Sequence, residues 1–199
     1  MSTMTEGRWN HNIHYHEIVL DALPPGARAV LDVGCGEGLL TRQLRAWVPR
    51  VVGVDPHGPS LELARQQDPR GEIEYVQADF LDHEFPPASF DLVASVATLH
   101  HLDPAAALAR MCELLRPGGR LVVIGLARSR LPTDLPRELL AAVAHRLHLL
   151  TKPYWQHPSP TVWPPPHTYA EIHRLAARVL PGTRFRRHLF WRYSLVWTR

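Results

Sequence analysis

The sequence predicts an α/β fold: a doubly wound, mostly parallel sheet with helices on both faces. Short apolar runs of strand length alternate with amphipathic helical patterns from residue 29 to residue 126. This alternation is typical of βαβ units with right-handed crossovers. The run at 121–124 reads Leu-Val-Val-Ile, which indicates a strand covered on both sides. Two further strands near the C-terminus form an antiparallel hairpin and bring the predicted sheet to seven strands.

The predicted elements follow one another without a domain linker. Strands are predicted at 29–33, 50–55, 72–76, 90–95 and 120–126, and the hairpin at 184–190 and 193–198. Helices are predicted at 14–23, after Gly38, around 61–64, from 104, at 134–150 and at 168–180. The helix after Gly38 is expected to bury one side, formed by Leu39, Leu40, Leu44 and Trp47. At 199 residues the chain is long enough for a single domain with a sizeable core.

Local signals fix several of these boundaries. Asp103 suits a helix N-cap and Pro104 the first helical position. Thr168 and Glu171 have the spacing of a capping box. The stretch 151–167 contains six prolines and is therefore expected to lack regular structure.

Composition favours a cytoplasmic globular protein. The apolar fraction is 45%, and no apolar run approaches the ~20 residues of a membrane helix. Residues 1–10 are polar and lack the apolar core of a signal peptide. The two cysteines, Cys35 and Cys112, have no metal-ligand spacing and suggest no disulfide framework.

The net charge of +3 conceals an asymmetry between the two halves of the chain. Residues 1–109 hold 7 Lys/Arg against 15 Asp/Glu, a balance of −8, and residues 110–199 hold 15 against 4, a balance of +11. The basic half is either a solvated face or a surface that attracts an anionic substrate or a nucleic acid.

A glycine-rich turn between the first strand and the next helix predicts a nucleotide site. Gly34, Gly36 and Gly38 follow the strand at alternate positions, and such turns let the backbone approach a ligand at a helix N-terminus. Leu39 stands where the dinucleotide fingerprint requires its third glycine, which disfavours a pyrophosphate. Asp32, two residues before the first glycine, would suit a cationic group of the ligand.

Two further acids stand at the ends of the second and third strands. Asp55 follows Gly38 by 17 residues, the place from which a carboxylate can accept both hydroxyls of a ribose. Asp79 comes shortly after the third strand and is followed by Phe80. An acid there can accept from an exocyclic amine while the ring packs on a base, although Asp79 taken alone is a common kind of turn residue.

These motifs, in this order, resemble the class I S-adenosylmethionine-dependent methyltransferases, within which the chain looks most like the small-molecule enzymes of bacterial metabolism. The resemblance is close over residues 26–126 and holds in outline at the C-terminal hairpin. It rests on LDVGCGEG at 31–38, VD at 54–55, ADF at 78–80, FDLV at 90–93 and LRPGGRL at 115–121.

The resemblance implies S-adenosyl-L-methionine as cofactor, S-adenosyl-L-homocysteine as product and no metal. The glycine loop would hold the methionine part, Asp55 the ribose, and Asp79 with Phe80 the adenine. The cofactor-binding residues implied are Asp32, Gly34, Cys35, Gly36, Gly38, Asp55, Pro56, Asp79, Phe80 and Ser95. The single domain 1–199 would carry an N-terminal lid segment at 1–25 and an insertion at 127–167 that caps the acceptor site.

The catalytic and acceptor-binding candidates lie where the family pattern is least specific. His100 and His101 follow the fourth strand, at the edge where open α/β sheets bind ligands, and either is a candidate general base; packing against the cofactor is the alternative. Tyr15 is a further catalytic candidate. The candidates for the acceptor pocket are His14, Tyr15, Trp155, His157 and Trp163.

The acceptor is expected to be a small molecule, anionic or aromatic in character, and the protein a monomer or homodimer. A nucleic-acid methyltransferase is the alternative, because arginines alternate with aromatic residues at 184–192. That alternative lacks an Asp/Asn-Pro-Pro-aromatic motif after the fourth strand and an appended RNA-binding domain. A non-catalytic cofactor-binding protein is a third hypothesis.

Two pairs of histidines have a spacing that could ligate a metal, namely His11 with His14 and His145 with His148. Solvated helix faces explain them more simply.

Overall fold

The computed structural model describes residues 8–151, 154–155 and 162–199. It has a seven-stranded sheet in the order β3-β2-β1-β4-β5-β7-β6. The strands are β1 Ala29–Val33, β2 Arg50–Asp55, β3 Glu74–Gln77, β4 Phe90–Val96, β5 Leu115–Leu126, β6 Arg184–Arg187 and β7 Arg192–Thr198. The first five strands are parallel, and β7 pairs antiparallel with both β5 and β6. The predicted doubly wound sheet with a C-terminal hairpin is confirmed.

In the part of the chain that the structure describes, six helices surround the sheet, namely α1 His16–Asp21, α2 Leu39–Arg45, α3 Gly58–Gln66, α4 Pro104–Leu114, α5 Leu135–Leu149 and α6 Tyr169–Val179. Short 3-10 turns occupy Ile13–Tyr15 and Leu99–His101. Asp103 caps α4 by accepting from the Ala106 N–H, and Thr168 and Glu171 form the expected capping box of α6. No helix within these described ranges has both the length and the apolarity to cross a membrane.

The core has two parts, one on each face of the sheet. Alternate strand residues point to opposite faces, so Leu31 packs with α4 and α6, which contribute Met111 and Ile172, while Val30 packs with the α1 and α2 side. The two faces are therefore both buried, as the continuous apolar strands predicted.

Two local expectations are wrong. Trp47 is 73% exposed, because α2 ends at Arg45 and Trp47 lies in the following turn instead of on the helical face. The fifth strand is longer than the predicted 120–126, since β5 begins at Leu115, which pairs with Phe90 before the register shifts. Helix α4 accordingly buries Leu108 and Met111, leaves Cys112 partly exposed and ends before Leu115.

The N-terminal segment is anchored by an aromatic cluster. Trp9 is 3% exposed and stacks on His148, and its backbone carbonyl accepts a hydrogen bond from the Trp155 N–H at 2.8 Å. Phe190, from the turn between β6 and β7, stacks on His11. The histidines near the N-terminus thus pack against α5 and the hairpin turn.

Candidate active site

A cavity of about 810 Å³ opens at the carboxyl ends of β1, β2, β3 and β4. Its walls come from the turns that follow these four strands, from the N-terminal segment, from the end of β5 and from the start of β7. The carboxyl edge of an open parallel sheet is where such folds bind ligands. Chain segments distant in sequence therefore meet around one space.

The glycine loop after β1 forms one wall, and its conformation depends on glycine. Gly34 has φ of +73°, and a Cβ built there would lie 2.0 Å from Thr98 Oγ1. The Gly36 N–H donates to Asp55 Oδ2 at 2.9 Å. The loop is consequently fixed from two sides, by the turn after β4 and by the acid at the end of β2.

Asp55 combines two roles within this wall. Its Oδ1 accepts from the His57 N–H at 2.8 Å, while Oδ2 accepts from Gly36. The side chain is 8% exposed and lines the cavity. Each carboxylate oxygen has more than one lone pair, so Asp55 holds the loop and retains acceptor capacity toward the cavity. Pro56, the next residue, also lines it.

Asp32 is an almost fully buried acid beneath the glycine loop. It is 1% exposed, and its Oδ2 accepts from Thr41 Oγ1 at 2.7 Å. Burial raises the pKa of Asp32 to about 7, and the nearby Asp55 carboxylate adds to the rise while the Thr41 hydrogen bond opposes it. A cationic group in the cavity would favour its ionised form.

The turn after β3 supplies the third predicted acid. Asp79 is exposed and lines the cavity, and its Oδ1 accepts from the Leu81 N–H at 2.8 Å, so it also caps its own turn. Phe80 is 3% exposed and has the Arg110 guanidinium 5.7 Å above its ring. Arg110 further donates to the Phe80 carbonyl, which holds the ring at the cavity wall.

Besides its glycines, the glycine loop contributes two residues with side chains to the cavity lining, Cys35 and Glu37. Cys35 is buried, and burial raises the pKa of its thiol well above the usual range, so it is a small packing residue without thiolate reactivity. Glu37 is 4% exposed and pairs with Arg8 at 3.0 Å. Arg8 also lies 5.1 Å over the Trp155 ring. Sequence reasoning did not single out Glu37 or Arg8, because their contact spans 29 positions.

His100 and His101 both line the cavity but have different neighbours. Burial, then His101 and Arg192, lower the pKa of His100 to about 4, and its buried Nδ1 has no hydrogen-bond partner within the described residues. The pKa of His101 is lowered by burial, but the Asp55 charge opposes that shift. His101 therefore lies closer to Asp55, and His100 lies closer to Arg192.

The cavity lining also contains polar groups and aromatic rings. Trp155 and Trp163, which the sequence suggests for the acceptor pocket, are part of it, together with Asn10, His11, Asn12, Tyr154 and Arg192. Arg192 is only 7% exposed, although it belongs to the arginine-rich stretch 184–192 that suggested a nucleic-acid contact. Nothing in the local sequence distinguishes it from its exposed neighbours Arg184 and Arg186.

Several predicted site residues lie outside this lining. The Tyr15 hydroxyl donates to the Leu189 carbonyl at 2.8 Å, and burial raises its pKa to about 12. His14 is exposed and accepts from Trp9 Nε1. Gly38 forms the N-cap of α2 behind the loop. Ser95 is fully buried within β4, whereas the next three residues, 96–98, line the cavity. His157 lies outside the described residues.

No group of three or more His, Cys, Asp or Glu that could hold a metal ion occurs in residues 8–151, 154–155 and 162–199. The histidines suggested as metal ligands by their spacing have other contacts. His11 Nε2 lies 2.9 Å from His145 Nδ1, and His148 Nδ1 lies 3.0 Å from the Ala144 carbonyl.

Comparison with known proteins gives the family. A family model described as a methyltransferase domain matches residues 31–123. An uncharacterised methyltransferase of Mycobacterium tuberculosis is 40% identical over 191 residues, which cover 95% of this chain and 96% of that protein. An O-methyltransferase of Penicillium expansum is 36% identical over 126 residues, 60% of this chain and 46% of that protein.

The fold has solved counterparts as well. The N-methyltransferase NodS from Bradyrhizobium japonicum, solved in complex with S-adenosyl-L-homocysteine, superposes with a TM-score of 0.62 at 18% identity, over 94% of this chain and 86% of that one. The sequence match over nearly the full length and the shared fold both agree with a ligand cavity at the carboxyl edge of the sheet, lined by the glycine loop and Asp55. The chain belongs to the class I S-adenosylmethionine-dependent methyltransferases and is an enzyme of that family.

Proposed function

We propose that this enzyme methylates an O, N or C atom of a small-molecule acceptor, with S-adenosylmethionine held at the acidic end of the cavity. The observation that carries the proposal is the polarity of one continuous cavity. Asp32, Asp55 and Asp79 line it together with Arg192 and several aromatic rings. The charge of Asp55 acts on His101, whereas that of Arg192 acts on the neighbouring His100. Two reactants of different chemistry can thus be held in one cavity.

The residues at the acidic end fit the cofactor. Gly34 has no room for a side chain, because a Cβ there would lie 2.0 Å from Thr98 Oγ1, so glycine lets this part of the loop pack against the turn after β4 while its backbone lines the cavity. Asp32 would attract the ammonium of the methionine part, Asp55 would accept from the ribose hydroxyls, and Asp79 with Phe80 would hold the adenine. When bound, the cofactor supplies an electrophilic methyl group on a positively charged sulfur.

The protein contributes position and the exclusion of water, which are the main requirements of such a transfer. The N-terminal segment covers the cavity by three contacts, the ion pair of Arg8 with Glu37, the Arg8–Trp155 stacking and the bond from Trp155 to Trp9. This cover supports the prediction that residues 1–25 and 127–167 enclose the acceptor.

His100 is the better candidate for a general base. Its side chain lines the cavity, and its imidazole is neutral at pH 7, because its pKa is lowered to about 4. A neutral nitrogen can accept the proton of an acceptor hydroxyl or amine. Tyr15 is not retained in the proposal, since its hydroxyl is engaged by Leu189 and its pKa is raised.

The cofactor site is tested by calorimetry with S-adenosylmethionine. Asp55→Ala and Gly36→Val should each weaken binding at least tenfold, because the first loses the acceptor of the Gly36 N–H and the second adds a side chain at φ of +54°. Glu17→Gln, on the exposed side of α1, is the matched control and should bind as the wild type does. Unaltered affinity in both loop variants would refute the site.

The base is tested separately. His100→Ala should reduce turnover at least tenfold with cofactor affinity nearly unchanged, and His101→Ala should affect cofactor affinity more, since it lies toward Asp55. Equal turnover in the wild type and His100→Ala would remove the base from the mechanism.

The acceptor class is tested by transfer of a labelled methyl group to a metabolite extract and to total RNA. Label in the metabolite fraction is expected, and label in RNA alone would contradict the proposal. The relationship to an O-methyltransferase and the shared fold with an N-methyltransferase keep both oxygen and nitrogen acceptors in the screen.

The nucleic-acid alternative loses support at the hairpin that suggested it. Arg187 pairs with Asp134 at 2.7 Å and lies 3.9 Å over the Tyr169 ring, and Arg192 is buried. The Trp191 indole donates to Glu138 at 2.6 Å. Most of the basic and aromatic groups of this stretch are therefore used within the protein.

A further inference from the structure

Arg192 is a buried cation that no carboxylate neutralises within the described part of the chain. Its side chain is 7% exposed, and it forms none of the ion pairs found there. Arg187 in the same hairpin has Asp134, and Arg116 has Asp91. Buried charges are ordinarily paired, so an unpaired guanidinium at a cavity wall requires an explanation.

The guanidinium is held in place by neutral oxygens. Nε and Nη2 both donate to Asn12 Oδ1, at 3.0 and 2.7 Å, and Nη1 donates to the carbonyls of Phe190 and Trp191 at 3.0 and 3.5 Å. An arginine has five N–H donors. At least one N–H of Nη2 therefore has no partner among the described residues, while the group as a whole is fixed in orientation.

The surroundings keep Arg192 charged and provide no competing anion. Burial lowers its pKa to about 10, and the neighbours that oppose this shift are tyrosines, Tyr154 first. The guanidinium is thus a cation at pH 7. The adjacent imidazoles of His11 and His100 have pKa values lowered to about 3 and about 4, in part by Arg192 itself. They are neutral, so this end of the cavity carries one positive charge.

Besides the uncharged polar groups Asn10 and Asn12, the cavity lining on the side of the N-terminal segment and the hairpin includes five apolar or aromatic residues, Leu126, Tyr154, Trp155, Val162 and Trp163. One fixed cation beside apolar rings matches a ligand with one negative charge on an apolar body. A phosphate dianion would be left with uncompensated charge, whereas a carboxylate is matched by a single guanidinium.

We propose that Arg192 binds a carboxylate of the methyl acceptor, and that the enzyme acts on a small monocarboxylic acid with an apolar or aromatic body. The inference rests on the proposed function for the location of the acceptor. In this arrangement Asn12 is a positioning residue that orients the guanidinium. The carboxylate would also offset the positive charge that depresses the pKa of His100, so acceptor binding would make that imidazole a stronger base.

The alternative is that Arg192 only ties the N-terminal segment to the hairpin turn through Asn12. In that case its charge is incidental. A glutamine keeps a donor for Asn12 and removes the charge, so Arg192→Gln separates the two readings. Arg187→Gln is the matched control, because it removes an arginine of the same hairpin that is already paired with Asp134.

The experiment measures binding by calorimetry to protein saturated with S-adenosylhomocysteine. The probes are a series of monocarboxylates from acetate to phenylpropionate and their primary amides. We expect the larger acids to bind at least tenfold more tightly than their amides in the wild type and in Arg187→Gln. In Arg192→Gln this preference should fall below about twofold, and Arg192→Lys should retain part of it.

The outcomes separate the two proposals. Saturation with S-adenosylhomocysteine tests the cofactor site, and its unchanged affinity in Arg192→Gln shows that the variant is folded. If the cofactor product binds but acids and amides bind equally, or neither binds, or the preference survives in Arg192→Gln, the carboxylate site is wrong while the cofactor site stands. If S-adenosylhomocysteine does not bind the wild type, the proposed function fails first.

Discussion

At the scale of single residues, buried titratable groups connect this site to pH. Asp32 has a pKa raised to about 7 mainly by burial, so its carboxyl is substantially protonated at pH 6. Only the carboxylate attracts an ammonium group. If Asp32 holds the ammonium of the cofactor, as proposed, binding at acidic pH requires the release of a proton, and the affinity falls as pH falls through 7.

We accordingly expect the affinity for S-adenosylhomocysteine to rise between pH 5.5 and 7.5, with a slope approaching about tenfold per pH unit at the acidic end. Calorimetry in buffers of different ionisation enthalpy counts the protons released. Asp32→Asn cannot ionise, so its affinity should be lower and nearly independent of pH over this range. The same slope in Asp32→Asn would assign the proton to another group.

His16 affects folding stability with the opposite sign to Asp32. Burial lowers its pKa to about 4, against the opposing bond from its Nδ1 to Gln43 Oε1 at 2.8 Å. The unfolded chain takes up the proton near pH 6.5 and the folded protein only near pH 4. The contribution of His16 to the free energy of unfolding is therefore lost as pH falls from 6.5 to 4. Asp32 acts in the opposite direction, because its raised pKa means that protonation of its carboxyl favours the folded state over part of the same range.

Replacing His16 should make the protein less sensitive to acid. Between pH 7.5 and pH 5 the free energy of unfolding should fall by about 2 kcal/mol less in His16→Leu than in the wild type. Urea unfolding at the two pH values measures this difference. His173→Leu removes an exposed histidine instead and should keep the wild-type dependence; if both variants behave alike, burial of His16 is not the cause.

At the scale of elements, those that local chemistry determines were predicted well. Strand β2 has its predicted bounds, and α4 and α6 begin at the caps read from Asp103 and Thr168. These features depend on residues close in sequence. The error at Trp47 arises where α2 ends, because a helix that stops two residues earlier turns Trp47 toward the solvent. Val48 is buried in its place.

The capping box of α6 provides a test at this scale. The Glu171 N–H donates to Thr168 Oγ1 at 3.4 Å, and the Thr168 N–H donates to Glu171 Oε2 at 2.7 Å. Thr168→Ala should lower the free energy of unfolding by about 1 kcal/mol without changing cofactor affinity, since α6 lies away from the cavity walls. Chemical denaturation measures the loss. Thr133→Ala, in an exposed turn, is the control and should be nearly neutral.

The turn between β6 and β7 marks what the sequence could not reveal. Phe190 and Trp191 both have positive φ, 55° and 57°, in a position where hairpins favour Asn and Gly. This backbone is costly for aromatic residues. The turn with this backbone buries Phe190 against the N-terminal segment and places Arg192 at the cavity wall. The contact of Arg192 with Asn12 spans 180 positions, and no local pattern announces it.

At the scale of the whole molecule, internal contacts account for part of the charge asymmetry between the two halves of the chain. The acidic half supplies β1 to β4 and the three acids of the cavity lining, Asp32, Asp55 and Asp79. Arginines of the basic half bind internal groups: Arg116 binds Asp91, Arg120 the Ala22 carbonyl and Arg110 the carbonyls of the β3–β4 connection. Several arginines of the basic half are thus used inside the fold, and this part of the excess positive charge does not indicate a basic binding surface.

The two exposed arginines of β6 decide between the acceptor classes. Arg184 and Arg186 are exposed and face no acid within 4.0 Å among the described residues. If the enzyme binds a nucleic acid through this hairpin, replacing both with glutamine removes phosphate contacts, and each lost contact lowers the salt slope of binding by about 0.7 to 0.9. A small-molecule enzyme has no such dependence, because its acceptor is recognised inside the cavity.

We therefore expect the double variant Arg184→Gln with Arg186→Gln to transfer labelled methyl groups to the metabolite extract at the wild-type rate at both about 50 and about 200 mM salt, a range over which binding through phosphate contacts weakens strongly. Arg192→Gln should reduce the same transfer strongly, although it removes only one charge, because that charge lies inside the cavity. Transfer that depends on the β6 pair and not on Arg192 would move the acceptor from the cavity to the surface of the hairpin, and with it the substrate class from a small acid to a nucleic acid.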